Sequence, residues 1–337
     1  MKKILVTGGT GYIGSHTAVE LITAGYKTVL LDNLSNSYVW VADRISEICG
    51  TKVPFYDVDL CDKEEMAAFF RQEGDFDAVI HFAALKAVGE SLDMPLIYYR
   101  NNLVALMNLM EAMETNGVGN LVFSSSCTVY GEADQLPVSE SAPVKEALSP
   151  YGNTKQIAEE IIRDEVNASE SLHCISLRYF NPVGAHHSAL IGELPMGVPN
   201  NLMPFITQAA IGKREVLRVF GNDYPTPDGT PIRDYIHVTD LARAHVRAVE
   251  RILNKDQQKP WEVFNLGTGK GHSVLEVISA FEEATGIKVP WQFAPRRPGD
   301  IAAIWADTSL ANRELDWRAE YGLHEMANSA WKWENKL

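Results

Sequence analysis

Lys3-Ile4-Leu5-Val6-Thr7-Gly8-Gly9-Thr10-Gly11-Tyr12-Ile13-Gly14 is the stretch that decides the fold class. Residues 4–6 are a short apolar run of strand type, glycines follow at once, and an amphipathic helical pattern then runs over 13–24. Glycine is needed where the backbone turns tightly and where a pyrophosphate must approach the main chain. The helix that follows presents unpaired N–H groups to an anion. Two spacings fit, Gly8-x-x-Gly11-x-x-Gly14 and Gly9-x-Gly11-x-x-Gly14. A glycine pattern alone is weak, but here a strand precedes it and a helix follows, which is the context a dinucleotide site requires.

The next apolar run, 28–31, ends at Asp32, 18 residues beyond Gly14. That is close to the spacing of about 20 expected for a carboxylate that accepts hydrogen bonds from the adenosine ribose hydroxyls. Such a carboxylate repels a 2′-phosphate, so the expectation is NAD rather than NADP. An Asp-Asn pair capping a surface turn is the plainer alternative, and it explains neither the glycines nor the strand.

Strand-like runs at 53–56, 78–82, 120–123 and 174–177 continue the pattern, with helical stretches over 63–72, 96–115 and 154–166 between them. Strand and helix alternating in this way imply a parallel sheet covered on both faces. Right-handed crossovers make it a doubly wound, Rossmann-type α/β sheet. From about Asn181 the texture changes: 181–204 and 222–231 are rich in Pro, Gly and Asn, and long irregular segments in a compact chain are usually functional. Helices are expected over 239–253, with Thr239 as N-cap, 273–285 and 323–333. The expected division is a dinucleotide domain over 1–180, with 236–268 returning to it, and a smaller α/β substrate region from 181–235 and 269–337.

The 337 residues are 46% hydrophobic and 22% charged, ordinary for a globular protein able to bury a full core. Lys plus Arg total 30 against 44 Asp plus Glu, a formal charge of −14. That balance argues against a nucleic-acid partner, which needs clustered cations. A local basic pocket for a small anion remains compatible with it. His186 and His187 are adjacent rather than at helical i, i+4 spacing and carry no metal signature. Cys49, Cys61, Cys127 and Cys174 form no C-x-x-C pair; a Cys49–Cys61 bridge is conceivable, and free buried thiols are the simpler reading. No secretory leader or membrane-spanning run is apparent, so the expected compartment is the cytoplasm, with no membrane partner.

Beyond the fifth strand stands Ser124-Ser125-Ser126-Cys127-Thr128-Val129-Tyr130-Gly131, and then Pro150-Tyr151-Gly152-Asn153-Thr154-Lys155. Pro150 suits a helix start, which puts Tyr151 and Lys155 at i and i+4 on one face. A phenol is a poor base at neutral pH, with an ordinary pKa of about 10. Positive charge from an ammonium and from a nicotinamide ring stabilises the phenolate and lowers that value. Tyr151 could then take a proton from a substrate hydroxyl that Ser126 also binds. Y-x-x-x-K is common by chance; its place after a serine-ended strand in a dinucleotide domain gives it weight.

These motifs resemble those of the extended short-chain dehydrogenase/reductase family, and over nearly the whole chain they are most similar to its UDP-sugar 4-epimerase branch. The segments concerned are 6–17 (VTGGTGYIGSHT), 31–37 (LDNLSNS), 81–91 (HFAALKAVGES), 151–155 (YGNTK), 177–186 (LRYFNPVGAH), 199–204 (PNNLMP), 220–238 (FGNDYPTPDGTPIRDYIHV) and 294–300 (APRRPGD). The resemblance implies a homodimeric isomerase of galactose metabolism that keeps NAD bound, oxidises the sugar at C4 and returns the hydrogen to the opposite face. It places Gly8, Gly11, Tyr12, Ile13 and Gly14 at the phosphates, and Asp32, Asn33, Leu34, Ser35, Asn36 and Ser37 on the adenosine ribose side. Asp59 and Leu60 would meet the adenine. Phe82, Ala83, Ala84, Leu85, Lys86, Asn101 and Phe180 would line the rest of the cofactor, although many relatives carry Gly where this chain has Ala84.

Tyr151 is then the base, Lys155 its partner on the nicotinamide ribose, and Ser126 the hydroxyl helper. UDP-sugar contacts fall on Lys86, Ser126, Tyr151, Asn181, Asn201, Leu202, Leu217, Arg218, Val219, Phe220, Arg233, Arg297, Asp300 and Ile304. Arg offers bidentate geometry to a diphosphate, which supports Arg233 and Arg297 independently. Ile304 matches a family position that limits room at the sugar C2, and its intermediate volume leaves the tolerance for UDP-N-acetylhexosamines open. The dimer helices would correspond to 96–115 and 154–166, where Leu106, Met107 and Met110 are core or interface.

Two rivals fit less well. A sugar-nucleotide 4,6-dehydratase needs an acid and a base where this chain has Ser126-Cys127-Thr128, and a Thr-Asp-Glu run stands there in that group. A silent dinucleotide sensor could lose Tyr151 and Lys155 without harm, and both are present.

Overall fold

The computed structural model describes residues 1–297 and 299–337; Pro298, in the 294–300 segment, lies outside the described residues. Its strands are β1 (Lys3–Thr7), β2 (Lys27–Asp32), β3 (Phe55–Asp57), β4 (Ala78–His81), β5 (Asn120–Ser126), β6 (His173–Tyr179), β7 (Asn181–Val183), β8 (Leu217–Phe220), β9 (Ile232–His237), β10 (Trp261–Leu266), β11 (Gly271–Ser273), β12 (Trp291–Ala294) and β13 (Ala303–Ile304). Seven of them form one sheet in the order β10-β6-β5-β4-β1-β2-β3, and every neighbouring pair is parallel.

The sheet is buried on both faces because its strands are apolar on both. Ile4, Val6, Leu30, Ile80, Val122 and Ile175 share one core with Leu241, Ala244 and Ile252 of the helix Val238–Asn254, which packs beside the helix Tyr12–Thr23. The alternate residues Leu5, Val29, Leu31, Val79 and Leu121 share the other with Met66, Phe70, Leu106, Leu109 and Ile162 of three further helices. This period-two split is what a doubly covered parallel sheet demands. The strand order reverses between β1 and β4, so a crevice opens outside their carboxyl ends, where ligands of such sheets bind.

The smaller lobe holds a four-stranded sheet of β7, β9, β11 and β13 and a parallel β8–β12 pair. Its separate core includes Met203, Ile206, Leu217, Val219, Phe281 and Met326. Asp234, fully buried on β9, ties this lobe together by accepting from Thr268 N and Oγ1 at 2.8 and 2.7 Å, Gly269 N at 3.1 Å and Ala306 N at 3.2 Å.

Several local expectations shift. The strand expected over 53–56 is instead Phe55–Asp57, because Pro54 has no N–H to offer and contributes only its carbonyl, to Leu30 N at 2.9 Å. Thr239 is not an N-cap: the helix begins at Val238, and His237 Nδ1 caps it by accepting from Thr239 N at 3.1 Å. The irregular stretch 181–204 contains β7. The helix Trp40–Cys49 and the edge strand β10 had no expectation attached to them. All four cysteines are free, so Cys49 and Cys61 are not bridged. Among the described residues no helix is long and apolar enough to cross a membrane.

Candidate active site

The phosphate cradle is set by close backbone packing. Gly8 has φ +68°, and a Cβ there would lie 2.8 Å from Ala83 N in the loop after β4. A Cβ on Gly14 would lie 2.1 Å from the Gly8 carbonyl oxygen. Gly8, Gly11 and Gly14 border the crevice, whereas Gly9 packs on β2, where a Cβ would meet Leu30 Cβ at 2.9 Å. Of the two spacings, Gly8-x-x-Gly11-x-x-Gly14 is therefore the one facing a ligand. The helix Tyr12–Thr23 starts at Gly11 with no side-chain cap and no acidic residue in its first turn. Its orphan N–H groups and positive dipole end are left for an anion. Cradle and uncapped helix together fit a dinucleotide pyrophosphate.

Asp32 ends β2 on the wall of the same crevice. Its carboxylate accepts from Leu34 N at 2.9 Å, Ser37 Oγ at 3.0 Å and Thr10 N at 3.2 Å, which fixes the turn between β2 and the glycine loop. Asn33, Ser35, Asn36, Ser37, Asp59, Leu60, Phe82, Ala83, Ala84, Leu85, Lys86 and Asn101 border the crevice with it, as do Tyr12 and Ile13. Leu34 contributes main chain, in the left-handed region at φ 57°.

At the far end stand Ser126, Tyr151, Lys155, Phe180 and Asn181. Ser149 caps the helix Pro150–Ala168, which carries Tyr151 and Lys155, by accepting from Gly152 N at 3.1 Å, with Pro150 in its first turn. Lys155 is 5% exposed and donates to the Ser124 carbonyl at 2.7 Å. Burial pulls its ammonium down to about 8 against the opposing pull of Glu159. Burial also pushes the Tyr151 phenol well above its ordinary range; Tyr179 adds to this and the Ser126 hydroxyl opposes it. Tyr151 is therefore a proton holder until positive charge arrives beside it. Ser126 Oγ accepts from Thr128 N at 3.2 Å, so its hydroxyl proton is free to donate.

Beneath this site, Arg178 makes a buried two-point pair with Glu159, Nε to Oε1 at 2.9 Å and Nη2 to Oε2 at 2.5 Å, and Ser125 Oγ donates to Oε1 at 2.5 Å. The pair clamps the helix Pro150–Ala168 to β5 and β6.

The remaining expected residues divide by position. Asn201 lines the crevice. Arg233, Arg297 and Asp300 form a neighbouring cluster, with Asp300 at 3.5 Å from Arg233 and 2.9 Å from Arg297, and Arg297 lies 5.9 Å from the Phe220 ring centre. Arg233 is near enough to oppose the rise of the Cys127 thiol, which burial takes to about 12. Leu217 and Val219 point into the core of the smaller lobe, so only their main chain is available to a ligand, while Arg218 between them is exposed. Leu202 packs against that same core. Ile304 is 3% exposed, in one cluster with Phe180 and Tyr130. No carboxylate occupies positions 126–128, and nearby Asp234 is consumed by its four donors.

Sequence reasoning missed Tyr179, Asn102 and Glu193. Tyr179 hydrogen-bonds Ser124 Oγ, and its position before Phe180 on a buried strand was the only signal. Asn102 accepts from Leu85 N at 2.9 Å and donates to Leu85 O and Thr154 Oγ1, both at 3.0 Å, locking the loop after β4 to the helix Pro150–Ala168. Glu193 sits in the irregular stretch, where spacing carries no information.

A family profile described as GDP-mannose 4,6 dehydratase matches residues 5–330. The UDP-glucose 4-epimerase of Bacillus subtilis is 54% identical over 332 residues, covering 98% of this chain and 96% of that one. A UDP-glucose-4-epimerase structure from Stenotrophomonas maltophila, with bound NAD and formylated UDP-arabinopyranose, has a TM-score of 0.95 at 50% identity over 100% of this chain and 98% of its own. The chain belongs to the UDP-glucose 4-epimerase family. A second family member from Bifidobacterium longum, in complex with NAD+ and UDP, has a TM-score of 0.95 at 46% identity, covering 99% of this chain and 98% of that one. As in the UDP-glucose 4-epimerase reading of the motifs, and unlike the dehydratase one, this site has no acid–base pair of carboxylates after β5.

Gly14→Ala tests the cradle. The added methyl has no room against the Gly8 carbonyl, so stability should fall by about 1–3 kcal/mol and bound dinucleotide should be lost. Denaturant unfolding and chromatography of the nucleotide released on denaturation measure both. Full occupancy in the variant would show that the close approach does not shape the site.

Proposed function

We propose that this chain interconverts UDP-glucose and UDP-galactose by reversible epimerisation at C4, using tightly held NAD. The observation that carries the reading is the convergence of Ser126, Tyr151 and Lys155 at one end of the glycine-bordered crevice, beside the irregular loops of the smaller lobe. NAD, when bound, supplies the two-electron sink that lets C4 be oxidised and reduced again within one turnover. Gly8, Gly11, Gly14 and the helix start would hold its pyrophosphate, and Asp32 its adenosine ribose.

Tyr151 receives the proton of the sugar 4-hydroxyl at its phenol oxygen, keeps it while the sugar is a 4-ketone, and gives it back at the end. Lys155 keeps positive charge beside this exchange and lowers the cost of the phenolate. Ser126 donates to the sugar oxygen. The diphosphate stays anchored by Arg233 and Arg297, while Asn181 and Asn201 flank the sugar. A tight grip on UDP and a loose one on the hexose let the keto sugar turn over between the two half-reactions. Four free thiols fit a reducing compartment, and the reading places the reaction in the cytoplasm, in galactose metabolism.

Purified protein given UDP-galactose without added NAD should produce UDP-glucose, and Tyr151→Phe should lower kcat by about 10²–10⁴-fold. Chromatographic separation of the sugar nucleotides reads the result. No conversion by the unaltered chain, even with NAD added, would overturn the reading.

Substrate breadth turns on the pocket behind Phe180. Tyrosine at 304 adds volume to a cluster that is already buried, so it must push toward the crevice or strain the core. Ile304→Tyr should lower the turnover of UDP-N-acetylgalactosamine relative to UDP-galactose. An unchanged ratio would remove Ile304 from the specificity machinery.

The chain is also read as a homodimer. Leu106 and Met110 lie in the core, but Met107 is 41%, Leu96 76% and Ile97 50% exposed along the helix Pro95–Thr115, with Leu92 and Met94 just before it 45% and 40% exposed. A second copy covering this face accounts for so much apolar surface in water. Sedimentation should give twice the 37.4 kDa chain mass, falling to one chain in Leu96→Glu/Ile97→Glu. A monomeric unaltered chain would refute the dimer.

A further inference from the structure

The crevice has two banks. One is the dinucleotide side, with Tyr12 from the glycine loop and Lys86 from the loop after β4. The other is a strap, residues 184–201, that crosses from β7 to the helix Leu202–Ala210. The strap is anchored at its base. Ala185 and Gly192 pair as an antiparallel bridge, and His186 N donates to Ile191 O at 3.1 Å. Gly192 lies flat on the Trp333 indole, where a Cβ would approach to 2.5 Å. Trp333 Nε1 donates to the Glu193 carbonyl at 2.9 Å. The backbone that carries Glu193 is thus held from behind by the last helix, and its side chain is directed at the crevice.

Two groups receive that carboxylate. Asn201 Nδ2 donates to Oε1 at 2.5 Å, and the Lys86 ammonium lies 3.7 Å from the same oxygen. Lys86 also stands 5.9 Å from the centre of the Tyr12 ring, and Tyr12 in turn donates its hydroxyl to the strap at Gly184 O, 2.6 Å. Among the described residues the banks meet where Tyr12 reaches Gly184, where the His16 and His186 rings face each other with centres 6.4 Å apart, and where Lys86 reaches Glu193. Of these, the last is the ionic one. Its carboxylate is 13% exposed and its ammonium 42%, so the pair is partly screened by solvent. A negative group beside an anion-binding crevice is electrostatically adverse unless it organises cations and donors. Glu193 does this on both sides, for Lys86 toward the cofactor and for Asn201 toward the sugar.

We infer that Glu193 is a positioning residue, the clasp that joins the strap to the dinucleotide bank through Lys86 and so retains NAD between turnovers. The inference rests on the cofactor reading above and adds to it a residue that touches neither reacting atom. The clasp must open for NAD to leave, because the strap forms the wall opposite the glycine loop. Burial raises the proton affinity of Glu193 and Lys86 opposes this, consistent with a carboxylate whose charge depends on its partner.

Glu193→Gln keeps the side-chain shape and an oxygen for Asn201, and removes only the charge that faces Lys86. The NAD dissociation rate of the purified holoprotein, followed by trapping released NAD with a dehydrogenase, should rise about five-fold, the upper end of the loss expected for one partly exposed ion pair. In a Lys86→Met background the same substitution should change the rate less than about two-fold, because the partner is already gone. A Glu193→Gln rate equal to that of the unaltered chain overturns the clasp. So does an equal factor in both backgrounds, which would make Glu193 act through something other than Lys86. An unaltered chain that carries and binds no NAD would instead defeat the cofactor reading itself, and this is seen before any variant is made.

Discussion

The approach of the glycine turn to the loop after β4 is the constraint on which the site depends. Gly8 and Ala83 meet with no space for a Cβ, and Gly14 rests on the Gly8 carbonyl with even less. Only this packing lets the helix Tyr12–Thr23 begin right at the carboxyl end of β1 with its N–H groups bare. Because β1 and β4 are neighbours whose connections depart to opposite faces, the crevice between their loops is the one place where a long ligand can lie across the sheet. The same geometry carries Lys86, three residues past Ala83, to the mouth of the crevice.

The Tyr151 end of the crevice is organised by a buried ion pair whose hydrogen bonds are satisfied. Glu159 and Arg178 are among the most buried ionisable groups, and a buried pair of this kind is tolerable only with good geometry and further hydrogen bonds. Both conditions are met, through two guanidinium contacts and Ser125. The pair fixes the helix Pro150–Ala168 against β5 and β6, and thereby sets Tyr151 and Lys155 relative to Ser126. Asn102 does the same from the other side with neutral hydrogen bonds, linking Thr154 to the loop that holds Leu85. Lys155 is left as a cation whose own burial weakens its hold on a proton.

In the smaller lobe a carboxylate serves structure. Asp234 lies next in sequence to Arg233 yet accepts four hydrogen bonds from two loops and stays out of the chemistry. Its neighbour faces the Asp300–Arg297 cluster. A chain of net charge −14 thus sets Lys86 and Lys155 on the crevice and Arg233 and Arg297 in the cluster with Asp300.

What the sequence determined by itself is local and periodic. The glycine turn, the strand ending at Asp32, the proline before Tyr151, and the i, i+4 spacing to Lys155 are properties of a few adjacent residues, and backbone sterics and helix geometry make them readable. The apolar runs of β1, β2, β4, β5 and β6 were legible for the same reason, being continuous in strands buried on both faces. The tertiary structure alone decided what depends on distant partners. The choice between the two glycine spacings required knowing that Gly9 faces Leu30. His237 took the place of Thr239 as the cap because Ser329, from across the fold, pairs with its Nε2 and leaves Nδ1 turned to the Thr239 N–H. Leu217 and Val219 turned inward because β8 pairs with β12 over an apolar core. Glu193, in a segment without periodicity, acquired its place only when Trp333, 140 residues away, fixed its backbone opposite Lys86.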